Sequence, residues 1–323
     1  MTDTVHVAVV GAGPAGLMAA HAMRAAGASV TIFDKGRRPG GRVNTREHDD
    51  YRFDHGAQFF TVRDPRIRPL LDSWLGRGWV AEWTGTLVHV DDDGSRPAEA
   101  TTRYVAVPGM VNLALHLSEG LGVQTGVRIE SASHDGASWH LRDADGQDQG
   151  AYDRLVLALP APQTVPLLSA APRIRAVAEG VIMDPCWAGM LVFASPPPLP
   201  FDGAFFDDSA LAWVARESSK PGRPAHESWV VHATSQWTRE HWSMDRGEVP
   251  AALVRALERR FGTMPEIIFS RAHRWGYAQP AAEPMGTLHD SVLHLGVCGD
   301  WCVGGRVEGA FVSGLEIAER MTG

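Results

Sequence analysis

The most chemically specific pattern in this chain is a run of small residues at positions 11–16, with the sequence G-A-G-P-A-G, followed by an acid at Asp34. Gly11 permits a tight turn, Gly13 lets a pyrophosphate approach the backbone, and Gly16 allows a helix to pack closely on a strand. The free N–H groups that open such a helix attract phosphate charge, and a carboxylate at this distance accepts hydrogen bonds from a ribose. The spacing predicts a dinucleotide-binding turn.

The elements needed to position this turn surround it. Residues 5–10 form a short apolar run typical of a strand buried on both faces, and a helical pattern runs from 14 to 26. A second strand is predicted over 29–33, so the opening segment reads as strand, turn, helix and strand. Because glycines interrupt the apolar stretch, we predict no membrane span here and expect a cytoplasmic protein.

Two segments downstream could extend the nucleotide site. Residues 38–42, R-P-G-G-R, pair two glycines that let the backbone pass close to a ligand with Arg42, which can bind a phosphate. Residues 53–60, F-D-H-G-A-Q-F-F, could line a flat ring with the backbone of residues 56–57 and with one amide, that of Gln58.

A third segment lies near the C-terminus. Residues 296–301, G-V-C-G-D-W, include Asp300, which could bond a ribityl hydroxyl. The V-E-G-A run at 307–310 opens a predicted helix whose N–H groups could face the electron-rich edge of a ring. These features favour a flavin over a simple nicotinamide nucleotide.

The rest of the chain suggests an inserted second domain. Strand-like runs recur between residues 186 and 275 with Gly, Pro and Ser between them, which is typical of an antiparallel sheet. We therefore predict an α/β fold with a Rossmann-type FAD-binding domain and an inserted substrate domain on a mainly antiparallel sheet. The expected boundaries are 1–62, 101–162 and 285–323 for the FAD-binding domain, and 63–100 and 163–284 for the substrate domain.

Composition excludes several other classes. The 323 residues are 44% hydrophobic and 21% charged, which is typical of a chain that folds around a core, and the net charge of −8 argues against nucleic-acid binding. Three cysteines without a C-x-x-C pair exclude a disulfide framework, a zinc ribbon and a redox dithiol. Fourteen histidines lack metal-ligand spacing, so no metal site is predicted.

Taken together, G-A-G-P-A-G, Asp34, G-G-R at 40–42, D-H-G-A-Q at 54–58 and the C-terminal G-D-W and V-E-G-A runs resemble the FAD-containing amine-oxidase superfamily, whose fold is like that of p-hydroxybenzoate hydroxylase. The short length and H-R-W-G-Y-A-Q-P at 273–280 resemble bacterial renalase-type oxidoreductases. The resemblance implies non-covalent FAD. The motifs and the resemblance together assign FAD contacts to Gly11, Ala12, Gly13, Pro14, Ala15, Gly16, Asp34, Lys35, Gly41, Arg42, Gly56, Ala57, Gln58, Phe59, Val127, Gly299, Asp300, Val307, Glu308, Gly309 and Ala310.

The renalase resemblance also implies a reaction. Isomeric dihydropyridine forms of NAD(P)H would lose a hydride from ring position 2 or 6 to flavin N5, and O2 would reoxidise the flavin with formation of H2O2. We expect no catalytic nucleophile, because substrate orientation is the main requirement. Candidate substrate-cleft residues are His232, His241, His273, Trp275 and Tyr277, with Arg274 and Arg306 as candidate phosphate partners.

Two alternatives remain open from the sequence. An amine oxidase or desaturase of a small molecule would use the same flavin scaffold, and a flavin-binding protein without turnover would act through partners. Amine oxidases usually place a lysine near flavin N5, and the chain has only Lys35 and Lys220. Neither lysine is predicted to be well placed, because Lys35 follows the ribose acid and Lys220 lies in a polar loop.

Overall fold

The computed structural model describes residues 4–323. Its α-helices are α1 (Pro14–Ala25), α2 (Arg68–Gly76), α3 (Met110–Ser118), α4 (Ala161–Thr164), α5 (Pro172–Glu179), α6 (Ser235–Glu240), α7 (Val249–Phe261), α8 (Asp300–Val303) and α9 (Val307–Thr322). Its strands are β1 (His6–Val10), β2 (Ser29–Asp34), β3 (Arg46–His48), β4 (Tyr51–Phe53), β5 (Val80–Glu82), β6 (Leu87–Asp91), β7 (Gly94–Pro97), β8 (Tyr104–Ala106), β9 (Gly122–Thr125), β10 (Ile129–His134), β11 (Trp139–Asp143), β12 (Asp148–Tyr152), β13 (Arg154–Leu157), β14 (Met183–Phe193), β15 (Gly203–Phe206), β16 (Leu211–Arg216), β17 (Ser228–Ala233), β18 (Ile267–Pro280), β19 (Leu288–Asp290) and β20 (Leu295–Val297).

A six-stranded sheet in the order β19-β20-β13-β1-β2-β9 forms the first layer of the molecule. Strand β1 pairs in parallel with β2 on one side and with β13 on the other, and β13 pairs in parallel with β20. The apolar run of β1 is buried on both faces, as expected for a central parallel strand. The opening and closing parts of the chain therefore share one sheet.

Helices α1 and α9 pack together against this sheet. Their contact is close because Gly314 of α9 has no side chain: a Cβ there would overlap the carbonyl oxygen of Ala15 in α1. Leu17, Met23 and Ile317 belong to the same buried cluster. The α/β fold with a Rossmann-type domain is confirmed, and the discontinuous domain boundaries stay a prediction.

A second, seven-stranded sheet has the order β18-β14-β17-β16-β15-β6-β7. All its neighbours are antiparallel except β15 and β6, which run parallel. Helix α7 covers one face, where its Leu253 and Leu257 share a cluster with Trp187 and Trp229 of the sheet. The opposite face turns toward the first layer and carries the candidate site.

Two smaller units complete the molecule. Strands β3 and β4 form a short hairpin, and β10, β11 and β12 form a three-stranded antiparallel sheet. Within residues 4–323, no helix combines the length and apolar character that crossing a membrane requires.

Candidate active site

The glycine-rich turn has the geometry of a phosphate cradle. Gly11 has a φ of 110°, and its N–H donates to the Phe33 carbonyl at 2.7 Å, which bends the chain away from β1. A Cβ on Gly11 would lie 2.5 Å from the Ala158 oxygen, so a side chain cannot fit there. A Cβ on Gly13 would meet no atom within 4 Å. The space above Gly13 is therefore open, at the start of α1 where a pyrophosphate would bind.

This contrast gives a test of the cradle. Gly13 already has a φ of −77° and a ψ of 177°, which alanine adopts freely. Gly13→Ala should therefore leave the thermal melting temperature of the flavin-free protein unchanged while weakening FAD binding about tenfold or more in a fluorescence titration. The companion variant Gly314→Ala should lower the melting temperature clearly, because its Cβ overlaps α1. An unchanged FAD affinity of Gly13→Ala would contradict the cradle.

Asp34 is held at the end of β2 in the position expected for a ribose acid. Its carboxylate oxygens accept the N–H of Ala12 at 2.7 Å and the N–H of Gly36 at 2.6 Å. The neighbouring Lys35 donates to Gln163 at 3.0 Å, and burial lowers the pKa of this lysine. The N–H of Val127 donates to the Asp34 carbonyl at 3.0 Å, so only the Val127 carbonyl is left to meet a nucleotide.

The R-P-G-G-R segment lies directly against the glycine-rich turn. The Gly40 N–H donates to the Ala12 carbonyl at 2.9 Å, and a Cβ on Gly41 would lie 3.6 Å from the Gly13 Cα. Arg42 then reaches across the molecule to Asp300, at 2.8 Å between Nη1 and Oδ2 with a second bond from Nη2. The structure thus brings the three predicted FAD motifs together.

The first turn of α9 adjoins the same region. Pro14 of α1 and Val307 of α9 line one small apolar cavity, and Gly309 and Ala310 follow on that turn. The side chain of Glu308 points elsewhere: it accepts the N–H groups of residues 63 and 64, the latter at 2.7 Å. Glu308 therefore anchors a loop, and only its backbone can face a cofactor. Gly299 precedes α8, whose first residue is Asp300.

The loop at residues 54–58 packs on Arg42. The Ala57 N–H donates to the Arg42 carbonyl at 2.9 Å, and a Cβ on Gly56 would overlap that same oxygen. Gln58 departs from the expectation that its amide lines a ring. Its side chain is buried and folded inward, where Nε2 donates to the Asp54 carbonyl and Oε1 accepts from Lys220 at 3.0 Å.

The structure corrects the expected environment of Lys220. The sequence placed it in a polar loop, yet its side chain is fully buried within a charge cluster that we define as Asp54, Glu217, Lys220 and Arg223. The Lys220 ammonium lies 2.6 Å from Glu217 and 3.5 Å from Asp54, and Arg223 lies 2.5 Å from Asp54. Two acids and two bases balance, which is the condition for burying charge.

The buried charge cluster ties three parts of the chain to the loop at 54–58. Asp54 also accepts the Thr45 hydroxyl at 2.6 Å and the Met110 N–H at 2.9 Å. Burial alone would raise the pKa of Asp54, but Arg223 and Lys220 outweigh it and lower this pKa to about 2. Burial raises the pKa of Glu217. No motif signalled this cluster, although D-H-G-A-Q at 54–58 and E-S-S-K-P-G-R at 217–223 contain its members.

The inward face of the seven-stranded sheet presents a row of rings. Neighbouring strands align His273 with Ala188, Ala188 with His232, and His232 with Trp213, and the row continues to Phe205. We call this the cleft face. Phe59 of the predicted FAD loop packs on it, with its ring centroid 5.5 Å from that of Trp213, so Phe59 belongs to the wall between the two layers.

His55 joins this face and was not singled out from the sequence. Its ring stacks on Trp275 at 5.1 Å and meets His273 edge-on at 5.0 Å. Its carbonyl accepts the indole N–H of Trp275 at 2.9 Å and contacts His232 Nε2 at 3.2 Å, while its own Nδ1 is buried without a hydrogen-bond partner. The sequence did contain a hint of this role. His55 directly precedes Gly56 in the D-H-G-A-Q loop, so it must contact the same surroundings as that loop.

These three histidines are uncharged at neutral pH. Burial lowers the pKa of His55 to about 3 and those of His232 and His273 to about 4. Nearby positive charge, including that of Arg46, adds to the effect of burial in producing the low pKa values of His55 and His273. The cleft face therefore carries neutral imidazoles, each of which has one nitrogen that can donate and one that can accept a hydrogen bond.

The structure separates two candidates from this group. His241 stacks on Trp237 at 4.1 Å, and its carbonyl accepts from Trp187 on the opposite face of the sheet. Arg274 also faces outward, with its guanidinium 3.8 Å from the Trp242 ring centroid. The prediction of His241 in the cleft is wrong, because α6 folds onto the outer face directly after β17. The prediction of Arg274 as a phosphate partner of a substrate in the cleft is wrong as well, because alternate residues of β18 point to opposite faces.

Tyr277 and Arg306 lie at the edge of the site. Tyr277 follows Trp275 on β18 and is 38% exposed, so it can contact a ligand without being fixed by packing. Arg306 precedes α9 and is exposed. Cys298 and Cys302 flank Asp300 but are buried, and burial raises the pKa of Cys298 to about 12, so this thiol stays protonated.

Comparison with known proteins agrees with this architecture. Residues 9–74 match the model of the NAD(P)-binding Rossmann-like domain. Mouse renalase is 22% identical over 91% of each chain. The first curated relatives are matched more strongly but only locally, over 12–19% of their own lengths.

Solved structures match over the whole chain. A putative protoporphyrinogen oxidase from Exiguobacterium has a TM-score of 0.81 at 14% identity, covering 100% of this chain and 99% of that one. Cyclohexylamine oxidase from Brevibacterium oxydans has a TM-score of 0.77 at 12% identity, covering 99% of each. This chain therefore shares the fold of these two oxidases, with a Rossmann-type domain and a second, mainly antiparallel sheet.

Proposed function

We propose that this chain is an FAD-dependent oxidoreductase of the renalase type, which oxidises the 2- or 6-dihydro isomers of NAD(P)H to NAD(P)+. The observation that carries the proposal is the cleft face, where neutral His232 and His273 and the ring of Trp275 contact the loop at His55 and Gly56. When bound, FAD supplies a hydride acceptor at N5, which O2 restores with formation of H2O2.

The residues present fit FAD. The open space above Gly13 suits a pyrophosphate, Asp34 suits a ribose diol, and the Val127 carbonyl remains for the adenine. Arg42 and Asp300 would meet the phosphates and the ribityl chain. These residues would hold the cofactor without a covalent bond.

The chain's own side chains need to do little chemistry. A dihydropyridine becomes an aromatic cation when it loses a hydride, so no separate proton has to be removed. The neutral histidines can orient a ring carboxamide by hydrogen bonds, and Trp275 offers a face for stacking.

Oxidation of an amine is the second candidate. It is supported by the similarity to cyclohexylamine oxidase and by Lys220, which lies under the predicted flavin loop in contact with Gln58. The ammonium of Lys220 is already bonded to Glu217 at 2.6 Å and belongs to a balanced charge cluster. We therefore assign Lys220 to the support of this loop and rank amine oxidation second.

Anaerobic mixing of the FAD-loaded protein with 6-dihydro-NAD and with a panel of amines tests the proposal. We expect 6-dihydro-NAD alone to bleach the flavin absorption at about 450 nm, and air to restore it with formation of H2O2. Trp275→Ala should slow the bleaching about tenfold or more through lost orientation, whereas the outward His241→Gln should not. Bleaching by amines alone would reject the proposal.

A further inference from the structure

We propose that Arg38, Arg46, Arg246 and Arg271, which we call the arginine cluster, bind a phosphate or diphosphate group of the substrate beside His273. This inference rests on the proposed function and assigns a place to the anionic end of the substrate. It also gives a reason why a cationic amine would be disfavoured in the same cleft.

The β3–β4 hairpin brings Arg46 to the cleft face. Phe53 of the hairpin stacks on Phe269 of β18 with ring centroids 5.6 Å apart, and His48 stacks on the same ring at 4.6 Å. Arg46 pairs directly with Phe53 across the hairpin, so both side chains leave its same face. The Arg46 side chain therefore points toward β18.

Strand β18 supplies the second member. Arg271 lies two residues from Phe269 and two from His273, so all three share the cleft face. The charges of Arg271, Arg38 and Arg246 add to the effect of burial in lowering the pKa of Arg46, and those of Arg46 and Arg246 do the same for His273. Arg46 thus lies within electrostatic range of the other three guanidinium groups, and Arg46 and Arg246 lie within range of His273.

This positive charge has no carboxylate partner. In the described part of the chain, salt bridges engage ten other arginines but no member of the arginine cluster. Glu47, next to Arg46, lies on the other face of the hairpin and pairs with Arg52 at 3.1 Å. The Arg46 Nε is buried without any hydrogen-bond partner. In a chain with a net charge of −8, such a cluster indicates an anion as its partner.

Phosphate is the anion that this geometry favours. Guanidinium groups bind phosphate oxygens through paired, charge-assisted hydrogen bonds, and several of them suit a group with more than one charge. Because the arginine cluster adjoins His273, a substrate with its ring against the cleft face can extend a phosphate toward it. A substrate without phosphate would gain nothing from these residues.

Kinetics with two substrates that differ only in a phosphate test this assignment. The double variant Arg246→Gln/Arg271→Gln should raise KM for 6-dihydronicotinamide mononucleotide by about tenfold or more and leave KM for the corresponding riboside unchanged. Lysines at both positions should restore part of the loss. The control Arg274→Gln, on the same strand but facing outward, should change neither KM. An equal response of the two substrates would overturn the assignment.

Calorimetric titration of pyrophosphate into the FAD-loaded proteins separates this inference from the proposed function. We expect the wild type to bind pyrophosphate, with an affinity that falls as salt rises, and the double variant to lose this binding. If the wild type binds none, the subsite is refuted even where dihydropyridine oxidation is observed. If pyrophosphate binds but no dihydropyridine is oxidised, the proposed function fails and the anion site stands. If the double variant loses pyrophosphate but keeps its mononucleotide KM, the site binds free anions and the substrate assignment is wrong.

Discussion

Asp54→Ala is expected to lower the free energy of unfolding by about 3–5 kcal/mol, because it leaves Arg223 and Lys220 buried with one carboxylate between them. The loss is measured by urea denaturation of the flavin-free protein, which avoids any contribution from FAD binding. The matched control is Glu179→Ala, which removes an exposed helical ion pair with Arg175 and should cost at most about 0.5 kcal/mol.

A second variant separates loss of charge balance from loss of packing. Asp54→Ala/Arg223→Met removes one acid and one base, so the remaining pair of Glu217 and Lys220 stays balanced. The double variant should be less destabilised than the sum of its two single variants. An effect of Asp54→Ala no larger than that of Glu179→Ala would contradict the stabilising role of the buried charge cluster.

The largest pH effect is expected between pH 6.5 and pH 4. The cleft histidines have folded-state pKa values of about 3 to 4, well below their ordinary value of 6.5, so only the unfolded chain binds protons readily in this range. The neutral histidines therefore contribute their full stabilisation above pH 6.5, the ordinary pKa of histidine. The free energy of unfolding decreases as the pH falls below that value. Three such groups give a slope of up to about 4 kcal/mol per pH unit.

Urea denaturation at pH 7, 6, 5 and 4 measures this slope. His273→Asn should flatten it by about 1.4 kcal/mol per pH unit, whereas His6→Asn, at an exposed position, should leave it unchanged. Asp54, with a pKa of about 2, loses its contribution only below about pH 4, so the two acid transitions are separable. A free energy of unfolding that stays constant from pH 7 to pH 4 would contradict the conclusion that these histidines are uncharged in the folded protein.

The opening nucleotide-binding unit could be predicted from sequence because local rules determine it. The predicted helix over 14–26 is observed as α1 (Pro14–Ala25). Its apolar spacing and the glycine that ends it, Gly27, are both local signals that need no distant partner. Helix α7 went unpredicted although Val249, Leu253 and Leu257 show its four-residue spacing. A helical pattern also runs over residues 107–121 of the sequence, but the observed helix α3 is shorter and begins at Met110 because Pro108 and Gly109 precede it.

The candidate site could be predicted only in part. The FAD motifs come together because the carboxyl ends of parallel strands lie at one edge of the sheet. The glycine-rich turn, Asp34 and Asp300 each stand at or just after the end of such a strand, and this can be read from the sequence. The fate of Lys220 depends on partners 162 and 3 residues away, so no local pattern reveals its burial. The exclusion of His241 likewise depends on which face α6 covers, and this is decided by tertiary packing.

The pairing of β13 with β20 bears on how the chain is made. Translation delivers β1, β2 and β13 before β20, so while residues 158–294 are being made the parallel sheet has an unpaired apolar edge at Leu155–Leu157. That edge can recruit a neighbouring nascent chain. Slow decoding or premature termination after residue 284 should therefore produce aggregates rather than a folded, cofactor-free fragment.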